Sequence, residues 1–197
     1  MKRKEALETI MENVFKTDAI ITSTGLICRE MYEYFDTEQQ FYMPGSMGLT
    51  SSIDLGIALN KPNKRIIIIE GDASILMNLG SIITIDYFTP KNLVHIILNN
   101  GAYASCSEES TLGNHAKLDK IAELAGYHLI FNINTKFKLQ EAIKASNYNS
   151  NGPIFILTNI KLGGRRNLAK PLRLIEIKNR FMEFLSKNNL KILNYDY

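Results

Sequence analysis

The chain is expected to fold as an α/β protein in three layers, with helices on both faces of a mainly parallel sheet. Two observations predict this. Short β-branched runs alternate with longer amphipathic stretches along the chain, which is the pattern of strands joined by crossover helices. The segment Arg65 to Glu70 also carries four consecutive isoleucines, which suits a strand covered on both faces.

The elements follow in order. Residues 4–16 form a helix with Leu7, Ile10, Met11 and Val14 on one face. Ala19 to Thr22 is a short strand, and residues 26–35 and 48–60 are helices, the second rich in small residues. After the isoleucine strand, Ser74 to Tyr87 is a helix with Asp72 and Ser74 as candidate caps. Leu93 to Leu98 is the next strand. A helix at 117–126, a strand at 128–133, a helix at 136–147 and a strand at 153–159 continue the alternation. The last helix runs from about 172 to 188, with Pro171 near its first turn. No linker, repeat or low-complexity tract interrupts residues 1–197, so a single domain is expected.

Composition excludes several classes. With 45% hydrophobic and 22% charged residues, the chain has enough apolar material for a core and is not disordered as a whole. The net charge of +3 is spread along the chain, without the basic stripe and interleaved aromatics of a nucleic-acid binder. Runs such as Ile66 to Ile69 are far too short to span a membrane. The basic N-terminus is followed by Glu5, Glu8 and Glu12 rather than an apolar segment, so no signal peptide is expected. Two cysteines, Cys28 and Cys106, have no metal-binding spacing and suit a reduced, cytoplasmic protein.

Two loops carry the candidate chemistry. Gly71-Asp72-Ala73-Ser74 ends a buried strand and starts a helix, and Asn99-Asn100-Gly101-Ala102 ends the next strand. Each alone is a common turn. Asp72 and Asn100 stand 28 positions apart, one βαβ unit, so two strand ends can present a carboxylate and an amide oxygen to one point. Such hard oxygen ligands suit Mg²⁺ or Ca²⁺ rather than zinc. The helix start beside them offers free N–H groups and a positive dipole end to a phosphate. The arrangement predicts a metal-bridged diphosphate.

These motifs resemble the thiamine-diphosphate motif of the 2-oxo-acid decarboxylase and acetolactate synthase superfamily, with Ala73 where that motif has glycine. A narrower resemblance covers nearly the whole chain. Phe41-Tyr42-Met43-Pro44-Gly45-Ser46-Met47-Gly48-Leu49, the stretch Gly71 to Ser81, Gly152-Pro153-Ile154-Phe155 and Gly163 to Pro171 are similar to the small subunits of sulfopyruvate decarboxylases. They are similar too to the C-terminal half of phosphonopyruvate decarboxylases. The resemblance implies that Asp72, Asn100 and the Ala102 carbonyl bind Mg²⁺, and that Gly71, Ala73, Ser74, Thr24 and Gly25 form the surroundings of the diphosphate. It implies that Met47 is the apolar wedge under the cofactor, that Gly45 accepts from its aminopyrimidine amine beside Ser46, and that Tyr103 lines the pocket.

A glutamate on a separate pyrimidine-binding domain is also implied, and residues 1–197 are not expected to include that domain. A partner α subunit is therefore expected to carry it. The substrate would be a small 2-oxo acid with a β-sulfonate or β-phosphonate. After the Asn-Asn-Gly the chain departs from the group, reading Ser105-Cys106-Ser107-Glu108-Glu109-Ser110-Thr111. Two glutamates there would repel a dianion if they faced it, and a solvated loop is the simpler reading. His95 reads as a packed core residue rather than a base, His115 as a loop residue, and Arg165 and Arg166 as an anion site or a solvated loop. A carbonyl-joining enzyme of acetolactate-synthase type and a non-catalytic paralogous subunit stay open. A nucleotide-binding domain is disfavoured, since no GxGxxG or Walker A pattern follows a strand.

Overall fold

The computed structural model describes residues 1–147, 151–171 and 173–187. Six strands, β1 (Ala19–Thr22), β2 (Gln40–Tyr42), β3 (Ile66–Gly71), β4 (Leu93–Asn99), β5 (Leu129–Ile133) and β6 (Ile154–Asn159), form one sheet in the order β2-β1-β3-β4-β6-β5. Every pairing is parallel. The predicted layered α/β class is thus borne out. The helices are α1 (Arg3–Asn13), α2 (Leu26–Phe35), α3 (Thr50–Asn60), α4 (Asp72–Met77), α5 (Gly80–Phe88), α6 (Leu118–Ala125), α7 (Lys136–Ala145) and α8 (Leu174–Lys187). Among the described residues no helix is long and apolar enough to cross a membrane.

The isoleucine run explains the layering. Alternate side chains of a strand point to opposite faces. Ile67 and Ile69 join the core with Leu7 and Ile10 of α1, Met31 of α2 and Leu139 of α7. Ile66 and Ile68 join the opposite core with Leu55 of α3, Ile82 and Ile85 of α5 and Leu118 of α6. All four isoleucines are buried, and each burial contributes about 1.5–3 kcal/mol. α8 covers the β2 edge, where Phe181 packs on Phe41 with ring centroids 5.5 Å apart.

Three local expectations are corrected. Gln40–Tyr42 is a strand that the sequence pattern does not announce. The expected helix at 74–87 is two helices, because Asn78 leaves helical geometry at φ −143° and ψ 55°. Neither Asp72 nor Ser74 caps this segment. Gly71 is the N-cap, without a side-chain cap bond, and Asp72 is the first helical residue. The last helix begins at Leu174, three residues past Pro171, and the expected ends at 172 and 188 lie outside the described residues.

Asp54 of α3 has a fully buried carboxyl, and neither oxygen has a hydrogen-bond partner. Burial first, and the nearby Glu70 second, push its pKa well above the usual carboxylate range. The folded state therefore holds a proton that the unfolded chain releases near pH 4. This contribution to stability is full below that pH and is lost as pH rises through the raised value, at about 1.4 kcal/mol per pH unit. Denaturant titrations of the wild type and Asp54→Asn across this range should diverge in slope, the variant lacking the decline.

Candidate functional site

The register of the two central strands assembles the site. Gly71 of β3 pairs with Leu98 of β4, so Asp72 and the Asn99-Asn100 pair emerge side by side at one edge of the sheet. An open cleft lies there. Of the residues expected at the site, Thr24, Met47, Gly71, Asp72, Ala73, Ser74, Asn100, Ala102 and Tyr103 line it. Gly25, Gly45 and Ser46 do not, although each is next in sequence to a lining residue or shares the Met47 loop. Gly25 is the N-cap of α2 at φ 96°, a conformation that favours glycine.

Asp72 is almost wholly buried. Burial raises its pKa, while the Thr111 hydroxyl and the backbone N–H of Asn100 oppose the rise. Thr111 Oγ1 donates to Asp72 Oδ2. Among the described residues no basic side chain pairs with Asp72. A desolvated carboxylate without a cation partner is what a divalent ion would stabilise.

Asn100 Oδ1 accepts the Ala102 N–H at 3.0 Å, and the Ala102 carbonyl accepts the Ala104 N–H at 2.9 Å. Both oxygens keep a second lone pair. The three oxygen donors thus fit a hard cation, though among the described residues no cluster of three or more His, Cys, Asp or Glu could hold a metal. The side chain of Asn99 is structural. It accepts the Gly101 N–H at 3.1 Å and donates to Asn114 and Asn159, each at 3.0 Å.

The sequence did not point to Thr111, Gly113 or Arg3. Thr111 returns to the site because its N–H bonds the Gly101 carbonyl at 2.9 Å and Ala102 bridges Ser110. Gly113 packs so tightly under Asp72 that a β-carbon there would lie 2.7 Å from Asp72 Cβ and 2.6 Å from Asn99 Oδ1. Arg3 lines the cleft from α1, its Nε 2.8 Å from Glu30 Oε2.

The remaining candidates take plainer places. Arg166 pairs with Glu108 at 2.6 Å, and both side chains are exposed. Arg165 pairs with Glu33 at 2.5 Å. His115 is exposed. Cys106 is exposed, whereas Cys28 is buried and its thiol is pushed up to about 11, mainly by burial.

Comparison with known proteins places the chain in a family. The model of the thiamine pyrophosphate enzyme C-terminal TPP binding domain matches residues 23–157. The chain is 45% identical over 130 residues to sulfopyruvate decarboxylase subunit beta of Methanocaldococcus jannaschii, covering 66% of this chain and 69% of that one. It is 34% identical to the subunit of the same name from Methanothermobacter thermautotrophicus, covering 93% and 95%. It is 32% identical to phosphonopyruvate decarboxylase of Streptomyces viridochromogenes across 93% of this chain, and there it spans only 46% of the relative. Benzoylformate decarboxylase from Polynucleobacter necessarius shares the fold at a TM-score of 0.68, with 17% identity, 86% of this chain and 34% of that chain covered.

Proposed function

Since the chain belongs to the family of thiamine pyrophosphate enzymes, as a C-terminal TPP binding domain, we propose that it is the cofactor-binding subunit of a decarboxylase acting on a β-anionic 2-oxo acid. The substrate class is 3-sulfopyruvate or 3-phosphonopyruvate, giving the aldehyde and CO₂. This follows the names of relatives 45% and 32% identical. The observation that carries the reading is the meeting of Asp72, Asn100 and Ala102 in one cleft at adjacent strand ends.

In this reading Asp72, Asn100 and the Ala102 carbonyl hold Mg²⁺. Thr24, Gly25, Gly71, Ala73 and Ser74 surround the diphosphate. Met47 would be the apolar wedge against the cofactor, the Gly45 carbonyl would accept from its amine, Ser46 shares their loop and Tyr103 lines the pocket. Bound thiamine diphosphate supplies the electron sink for loss of CO₂. The protein's own part is to place oxygen donors and N–H groups around the bound groups.

A separate subunit supplies the activating glutamate. The pairing of this chain with almost the full length of subunits named beta, and with under half of a phosphonopyruvate decarboxylase, supports that division. Residues 1–197 then act as one domain of the assembled enzyme. The free cysteines suit the cytoplasm.

The test is calorimetry and turnover with and without the partner subunit. The expected result is Mg²⁺-dependent binding of thiamine diphosphate to the assembly, CO₂ release from a β-anionic 2-oxo acid, and no turnover by this chain alone. Decarboxylation by the chain alone would remove the partner. Absence of cofactor binding would favour a non-catalytic paralogue, and a carbon–carbon-joined product would favour an acetolactate-synthase type of reaction.

A further inference from the structure

Behind the cleft a line of buried polar groups runs from Tyr127, just past α6, to the Met47 loop. The Tyr127 hydroxyl lies 3.1 Å from His95 Nδ1, and His95 Nε2 lies 2.7 Å from Glu70 Oε1. Ser74 Oγ donates to Glu70 Oε2 at 2.6 Å, and the Gly48 N–H donates to Ser74 Oγ at 3.2 Å. Glu70 and His95 are 0% exposed and Ser74 is 1% exposed.

One set of proton positions satisfies every member. Glu70 accepts at both oxygens, so His95 Nε2 and the Ser74 hydroxyl are donors. His95 Nδ1 is then the acceptor for Tyr127. Ser74 keeps lone pairs for the Gly48 N–H. Burial, with Glu70 as the next cause, holds the Tyr127 phenol in its protonated, donating form.

This line is not needed to fill space. His95 packs edge-on against Phe155 at 5.3 Å between ring centroids, a contact that a phenyl ring would also make. Burying a carboxylate costs free energy unless its bonds are complete. Its far end identifies what the line serves. Gly48 has φ 91°, and a β-carbon there would lie 3.0 Å from Met77 Cβ and 3.3 Å from the Ser74 carbonyl oxygen. The loop backbone therefore lies directly on α4. Ser46, two residues earlier, is in the left-handed region at φ 54°, which a non-glycine residue adopts only when its surroundings hold it there.

We propose that Glu70 is a positioning residue: fixed by His95, it holds the Ser74 hydroxyl, which pins the Gly48 amide and so sets the Met47 loop against α4. The inference rests on the reading that Met47 supports the cofactor, and it adds how that loop is kept in place. Glu70 itself touches no reacting atom.

Glu70→Met and Glu70→Gln separate this role from packing. Methionine fills similar space without acceptors. Glutamine can accept from Ser74 and donate to His95 if the imidazole adopts its other tautomer, so it should rescue. The first readout is amide hydrogen exchange in the full chain without cofactor. Exchange at Gly48 should rise about tenfold in Glu70→Met, stay near wild type in Glu70→Gln, and stay unchanged at the β3 and β4 amides in both.

The second readout is kinetics of the assembled enzyme, where Glu70→Met should lower kcat more than it weakens cofactor binding. Unchanged exchange at Gly48 in a folded Glu70→Met protein would overturn the proposal, as would an equal rise at Gly48, β3 and β4. Should Glu70→Met not fold, His95→Phe replaces it, with a severalfold rise at Gly48 expected and an unchanged rate overturning the idea. Failure of thiamine diphosphate to bind wild type would remove the proposed function while leaving the exchange result to stand or fall by itself.

Discussion

Replacing Asp72 by asparagine is expected to abolish metal-dependent cofactor binding while leaving the empty chain at least as stable as before. The two effects have opposite signs because the same burial causes both. Desolvation makes the Asp72 carboxylate costly without a cation, as its raised pKa records. Asparagine keeps the shape and can still accept from the Thr111 hydroxyl that now bonds Asp72. What it loses is the negative charge, the strongest attraction in the oxygen set for Mg²⁺. Groups that merely orient a metal ligand are worth about 10–100-fold in affinity, so loss of the ligand charge should exceed about a hundredfold. Calorimetric titration with Mg²⁺ and thiamine diphosphate, beside thermal unfolding without them, reads both signs. Retention of wild-type affinity by Asp72→Asn would remove the metal site.

Gly113→Ala should be nearly as damaging, although residue 113 offers no chemistry. Its β-carbon would fall 2.6 Å from Asn99 Oδ1 and 2.7 Å from Asp72 Cβ. Neither neighbour can yield easily. Asn99 is tied to Gly101, Asn114 and Asn159, and Asp72 begins α4 at the end of the central strand. Overpacking of this kind costs about 1–3 kcal/mol. It should also displace the carboxylate and weaken cofactor binding about tenfold or more. An alanine variant with the melting temperature and cofactor affinity of the wild type would show that this segment stands away from Asp72.

How far the sequence could be read depends on whether each element carries its own pattern. The isoleucines of β3 and the alternation of strands and helices are local signals, and they place Asp72 and Asn100 correctly because each directly follows a strand. β2 carries no such signal. Gln40, Phe41 and Tyr42 are extended only because they pair with Ile20, Ile21 and Thr22. The apolar pattern of residues 74–87 runs on through Asn78, so the break there is invisible until the backbone is seen. Thr111 and Gly113 reach the site through a loop that folds back on Gly101 and Ala102, a non-periodic path that leaves no trace in residue order. His95 reads correctly as a core residue, but its tie to Glu70 comes from the pairing of Ile68 with His95, a matter of strand register.

The cleft draws on Arg3 of α1 and on Ile160, just past β6, two residues far apart in the chain. A nascent chain leaving the ribosome therefore owns no finished pocket until its sixth strand has docked beside β4. Parallel sheets with such distant partners assemble slowly. A ligand for this cleft would recognise only molecules that have completed the fold, which makes its uptake a late checkpoint in biogenesis and a selective stabiliser of the mature form.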